Sequence, residues 1–183
     1  MVNQSSNTVF VSKHVDTAPS FKRWIKHACS IVQVKHYFNQ KDQQAIAAAV
    51  QQAEQGHAGE IQVVIEGHIP AGLAYHHNSR QRAQQLFAEL GVWDTAYNSG
   101  VMLYLNLCER TVEIVVDRGI QQAAQATCWE QICQEMLPSL KEKAYLEAVL
   151  FAIERIAEIL QHFQQELGYT QQDELSNQPI ILK

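Results

Sequence analysis

Glu60, Asp94, Asn98 and Asp117 are the residues whose types and setting could do chemistry. Carboxylate and amide oxygens suit a hard divalent cation such as Ca2+ or Mg2+, with water and loop carbonyls completing its shell. Arg118, directly after Asp117, and His57, just before Glu60, could hold a phosphate oxygen or support the ion's ligands by hydrogen bonds. Each residue also has a plainer reading. Asp117 suits the cap of a following helix. Asp94 and Asn98 suit loops, where their side chains bond the local backbone. Glu60 can be an exposed carboxylate at a strand start, His57 a donor near a helix end, and Arg118 a surface cation. Gly119 suits a positive φ at a strand exit.

What would bring such distant residues together is the order of the elements around them. EIQVVIE, Glu60 to Glu66, is short and β-branched, which predicts a strand. Asn78 can cap a helix with Ala83, Leu86, Phe87 and Leu90 on one face, ended by Gly91. Gly100 to Asn106 is apolar at nearly every position and predicts a strand buried on both faces. Leu107 to Arg110 forms a turn, and Thr111 to Asp117 a third strand. Strand, crossover helix, strand predicts a parallel pair; strand, tight turn, strand predicts an antiparallel hairpin. In that topology the N-terminal ends of the first two strands and the C-terminal end of the third share one rim. Glu60, Asp94, Asn98 and Asp117 would meet there.

Helices flank this unit. Phe21 to Val34 has helical apolar spacing at Phe21, Trp24, Ile25, Ala28, Ile31 and Val32. Asn39 can cap the next helix, with Asp42 in its first turn, and that helix stops at Gly56. A helical region after Gly119 is predicted to be interrupted around Pro138-Ser139. A last helix spans about Ala144 to Leu167, with Leu146, Val149, Leu150, Ile153, Ile156, Ala157 and Leu160 in one stripe. The fold class is therefore α/β: a three-layer α/β/α sandwich whose small mixed sheet, a parallel crossover plus an antiparallel hairpin, is covered by helices on both faces. Residues 1–19 read as a flexible arm, 20–168 as one domain and 169–183 as a disordered tail.

The composition fits a folded domain. Of 183 residues, 46% are hydrophobic and 18% charged, enough for a substantial core. A net charge of -5, with no basic stripe beyond Lys22-Arg23-Trp24-Ile25-Lys26, argues against a nucleic-acid partner. That cationic, aromatic segment is instead a candidate docking site for a protein partner. The N-terminus has no apolar run like that of a signal peptide, and no window approaches a membrane span. The four cysteines form no CxxC pair, which suits reduced thiols in a cytoplasmic protein. There is no GxSxG, P-loop, GxGxxG or HExxH pattern to indicate a standard enzyme site.

Three stretches together, GEIQVVIE, RAQQLFAELGVWDT and NSGVMLYLNLCERTVEIVVDRGI, resemble the TPM-domain family over roughly His36 to Phe163. The family takes its name from thylakoid-lumen and photosystem-II-repair proteins and a receptor-modulating membrane protein. The resemblance implies an α/β/α sandwich and a Ca2+ or Mg2+ site near the sheet edge. For some members it also implies acid-phosphatase activity, so a weak metal-assisted phosphomonoesterase stands as the alternative to a non-catalytic cation-binding or interaction module. Many members have a signal peptide and a C-terminal membrane anchor; this sequence resembles the short soluble branch. Asn98-Ser99-Gly100 departs from the adjacent Asn-Gly common in the family. Asp117-Arg118-Gly119-Ile120 stands where secreted members carry a Gly-x-Gly-Leu-Glu type of strand exit.

Overall fold

A computed structural model describes residues 9–11, 19–30, 32–121, 124–164 and 174–183. Its sheet has five strands in the order β1-β4-β3-β2-β5. They are β1 (Val9–Val11), β2 (Glu60–Glu66), β3 (Gly100–Asn106), β4 (Thr111–Val116) and β5 (Ile180–Leu182). β2 and β3 pair in parallel from Glu60↔Gly100 to Glu66↔Asn106, and β3 and β4 pair antiparallel, with Val101 opposite Val116. The crossover and hairpin expected from the sequence are both present. β3 and β4 are joined by a four-residue turn in which Arg110 takes a positive φ of 58°.

Side-chain alternation divides the core into two layers. Ile61, Val63, Ile65, Val101, Leu103, Leu105, Val112, Ile114 and Val116 face α3 (Gln40–Ala53), α7 (Ala126–Lys141) and α8 (Tyr145–Gln164). Val64, Met102, Tyr104 and Val115 face α5 (Ser79–Glu89), together with Leu175, Ile180 and Leu182 from the end of the chain. Helices on both faces make the three-layer sandwich. Its helices start where the sequence places the caps: Asn39 and Asn78 each accept from the backbone at the third helical residue. In return, Asp42 and Gln81 accept from the cap's own N–H.

Four local features differ from the sequence expectation. The segment from Phe21 to Val34 is not one helix but α1 (Phe21–Ala28) and, after a break, α2 (Val34–Tyr37). α7 runs unbroken through Pro138, three residues from the helix end, where the missing proline N–H forfeits one backbone hydrogen bond to the preceding turn. The arm read for 1–19 and the disordered tail read for 169–183 lie partly outside the described residues. Where described, each contributes a strand: β1 beside β4, and β5 beside β2, with Gly67 N–H also bonded to the Leu182 carbonyl. The Ile180-Ile181-Leu182 run is too short to signal a strand by periodicity, and only the open edge of β2 makes it one. Two further short helices are α4 (Ala71–Ala74) and α6 (Arg118–Gln121).

At the C-terminal ends of β2 and β3, the α5 layer holds a buried polar network. Arg82 donates to both oxygens of Glu66, at 2.8 to 3.3 Å. The Tyr104 hydroxyl donates to Glu66 at 2.6 Å and accepts from the Asn106 amide. Burial, and then the Glu66 carboxylate, push the Tyr104 hydroxyl well above its ordinary pKa. Removing one member of such a pair strands a charge in the core. Arg82→Met is therefore expected to lower unfolding stability by about 3–5 kcal/mol, and Tyr104→Phe by about 1–2 kcal/mol. Urea denaturation measures both; an Arg82→Met loss no larger than that of Tyr104→Phe would contradict the assignment of Arg82 as the counter-charge.

Candidate functional site

The opposite rim, where β2 and β3 begin and β4 ends, holds several of the residues singled out in the sequence. Glu60 pairs with Gly100 across β2 and β3, and Asp117 N–H donates to the Gly100 carbonyl at 2.9 Å. Glu60, Gly100 and Asp117 thus form one row across three strands, on the side of α5 by alternation. Two strand spacings, roughly 10 Å, separate the outer two. The middle position must be glycine, because a Cβ there would lie 1.8 Å from the Val92 carbonyl oxygen. The rim loop 92–99 therefore closes directly over the row.

That loop is built from backbone bonds. Ser99 N–H donates to Thr95 Oγ1 at 2.9 Å, and the Ser99 hydroxyl donates to the Ala58 carbonyl, tying the start of β3 to the approach to β2. Asn98 has a φ of 53°, the left-handed region that Asn tolerates better than most residues. Its carbonyl accepts from Gly119 N–H at 2.9 Å. A side chain at Gly119 would meet the Asn98 and Tyr97 carbonyls at 2.6 and 2.7 Å, so this glycine is required by close approach rather than by a positive φ. Arg118, at the start of α6, sends its guanidinium to Asn98 Oδ1 at 3.3 Å.

Asp117 is the most unusual group of the rim. It is only 6% exposed. Its Oδ1 accepts from Arg118 N–H at 2.6 Å, in keeping with a helix-start role, whereas Oδ2 is buried with no hydrogen-bond partner. Burial raises its pKa, against the lowering effect of the Arg118 N–H and charge.

The other candidates are spread around this point. Glu60 is buried and its Oε2 accepts from Leu175 N–H at 3.1 Å. Glu174, next to Leu175, accepts from Ala96 N–H through both oxygens at 3.1 and 3.2 Å. The chain's final segment thus lies against the rim, which the sequence reading missed by treating it as a loose tail. Asp94 is exposed on the loop, its N–H bonded to the Gly91 carbonyl. His57 belongs to the other side: its ring lies near the Ala53 backbone at the end of α3, and its Nδ1 accepts from Gly59 N–H at 3.0 Å. A Cβ on Gly59 would strike Leu160 of α8, which places this approach to β2 on the α3–α8 face. The rim therefore brings Asn98, Asp117 and Arg118 into contact, sets Glu60 in the same row, and leaves Asp94 and His57 apart. Among the described residues, no group of three or more His, Cys, Asp or Glu side chains is placed to hold a metal ion.

The matched family model is the TPM domain, over residues 31–159, about two thirds of the chain and all of β2, β3 and β4. No curated protein gives a significant match. Among solved structures, the chain is similar to the NMR structure of BA42 protein from the psychrophilic bacterium Bizionia argentinensis. The TM-score is 0.69 at 22% identity, covering 81% of this chain and 98% of that one. At that identity the likeness shows a shared fold.

Two outcomes follow from the rim geometry. Gly100→Ala is expected to destabilise the protein by about 1–3 kcal/mol or more, because a backbone carbonyl rather than a flexible side chain must give way. Thermal unfolding checks this, and a neutral effect would mean the loop does not close over the row. Burial lowers the pKa of His57. Its imidazole should stay neutral at pH 7 and titrate below about 6.5. Its share of stability is then present above that value and lost as pH falls through the lowered one. An NMR titration of the His57 ring reads this directly; a midpoint at or above the ordinary value would contradict the burial.

Proposed function

The chain belongs to the TPM-domain family, and on that premise we propose that the β2–β3–β4 rim binds a divalent cation, Ca2+ or Mg2+, with Asp117 as the central ligand. The observation that carries this reading is Asp117 Oδ2, a buried acceptor with no hydrogen-bond partner on a carboxyl whose charged form is already disfavoured by burial. A hard cation would remove both costs. The remaining residues fit in part. Asn98 and Glu60 carry the right oxygens, but each would have to exchange a present partner, Arg118 and Leu175 respectively. Asp94 is exposed on the rim loop, and His57 is placed to support the approach to β2 rather than the ion. Water and loop carbonyls would fill the rest of the shell. In this reading the protein is a non-catalytic module.

The test is a titration with CaCl2 and MgCl2, followed by amide NMR and thermal unfolding. Residues 98–100 and 117–119 are expected to shift, and the protein to gain about 2.7 kcal/mol of stability at a hundredfold excess over Kd. Asp117→Asn should abolish both responses. Without cation the same variant should be at least as stable as the parent at neutral pH. A raised carboxyl pKa in the folded state means that its contribution to stability is lost as pH rises above the unfolded value near 3.9, and the amide removes that loss. Silence of these amides at millimolar cation would sink the proposal.

A second reading, metal-assisted phosphomonoester hydrolysis, is favoured by the exposed Arg118 beside Asp117. A guanidinium there suits a phosphate oxygen, while a bound cation would supply an activated water. Release of phenol from an aryl phosphate should then require the cation and fall at least tenfold in Asp117→Asn.

A further inference from the structure

α1 is an amphipathic helix mounted the wrong way round for a core element. Its polar side faces the protein. Arg23 donates to the carbonyls of Ala74 and Tyr75, at 2.7 and 3.2 Å. His27 is buried, with Nδ1 accepting from Ile69 N–H at 3.0 Å, which leaves Nε2 as the donor to Glu109 at 2.9 Å. Arg23 and His27 are one turn apart and define the docked face. Phe21 and Ile25, each two residues earlier, lie roughly 200° around the helix and so point outward. Phe21 is 63% exposed, Ile25 43% and Trp24 36%. The rings of Phe21 and Trp24 stack at 5.2 Å, and the half-exposed Tyr75 stands on the neighbouring α4 connection.

We propose that this face of α1 lies on an anionic lipid bilayer surface. The outward arc runs from Trp24 through Phe21 to Ile25 and is bordered by the exposed Lys22 and Lys26, of which Lys26 is 3.8 Å from Glu109. Aromatic and aliphatic side chains flanked by lysines are the composition of a helix that rests in the headgroup region, rings down and ammonium groups toward lipid phosphates. Lysine is depleted at protein–protein interfaces, which sets this face apart from a typical protein docking patch. Charge complementarity therefore selects the negative lipid surface. Among the described residues no helix is long and apolar enough to cross a membrane, so the contact is one of lying on the surface. The helix is already formed and fastened by its polar side, so no folding need accompany the contact. The overall charge of -5 opposes anionic lipid, so the attraction is confined to this end of the molecule and should be weak and salt-sensitive.

The experiment is co-sedimentation of the full chain with vesicles of phosphatidylcholine alone and with 40% phosphatidylserine, at about 50 mM and 500 mM salt, where screening differs severalfold. Binding is expected only to the anionic vesicles at low salt, with a blue shift of tryptophan emission that Trp24→Ser removes. Phe21→Ser with Ile25→Ser, and separately Lys22→Glu, should each weaken binding at least tenfold while leaving the melting temperature unchanged. No anionic-vesicle binding, or binding indifferent to these substitutions, overturns the proposal. So does a concentration-dependent dimer that Ile25→Ser disperses, which would give the face to a second copy of the chain. None of these readouts depends on the cation site.

Discussion

The rim depends on one constraint: the register that sets Glu60, Gly100 and Asp117 side by side. Parallel pairing aligns the starts of β2 and β3, and the hairpin returns the end of β4 to the same place. A shift of one residue in any of these pairings would turn the row to the opposite face. The absent side chain of Gly100 then lets the Val92 carbonyl come down onto the sheet, and the absent side chain of Gly119 lets α6 start against Asn98. Every unusual feature of Asp117 follows from this closure: its burial, its unpartnered oxygen and its raised pKa.

The two ends of the sheet treat a buried acid in opposite ways. Glu66 receives a forked guanidinium and a phenol, so its charge is matched within the protein. Asp117 receives one backbone N–H at Oδ1 and no partner at Oδ2. A fully matched carboxylate stabilises and orients its surroundings but has no remaining lone pair to offer. An unmatched one costs stability and retains coordinating capacity. The contrast within a single layer is why the proposed cation site is placed at the start of β2 and β3 rather than at their far end.

Much of this was readable from residue order. The strands Glu60–Glu66 and Gly100–Asn106, the capped helices after Asn39 and Asn78, and the hairpin all follow from local rules of spacing and capping. The convergence of Glu60 and Asp117 followed from strand direction alone. What the sequence hid was tertiary. Nothing local in Phe21–Ala28 tells which side of an amphipathic helix will be covered, because Arg23 and His27 find their partners in distant segments. His57 is adjacent to the rim in sequence yet turns toward α3, since Gly59 packs against Leu160. Pro138 read as a break, but α7 continues through it. The Glu66–Arg82–Tyr104 network joins three elements and has no signature in any one of them.

The strands at the two margins, Val9–Val11 and Ile180–Leu182, come from opposite ends of the polypeptide and are three residues each. The stretch matched to the family, 31–159, contains neither. Trimming the protein to that matched span would bare the hydrogen-bonding flanks of both β2 and β4, and exposed flanks invite intermolecular pairing. The short terminal strands thus serve as selvages, guarding a three-stranded fabric against stitching itself to its neighbours.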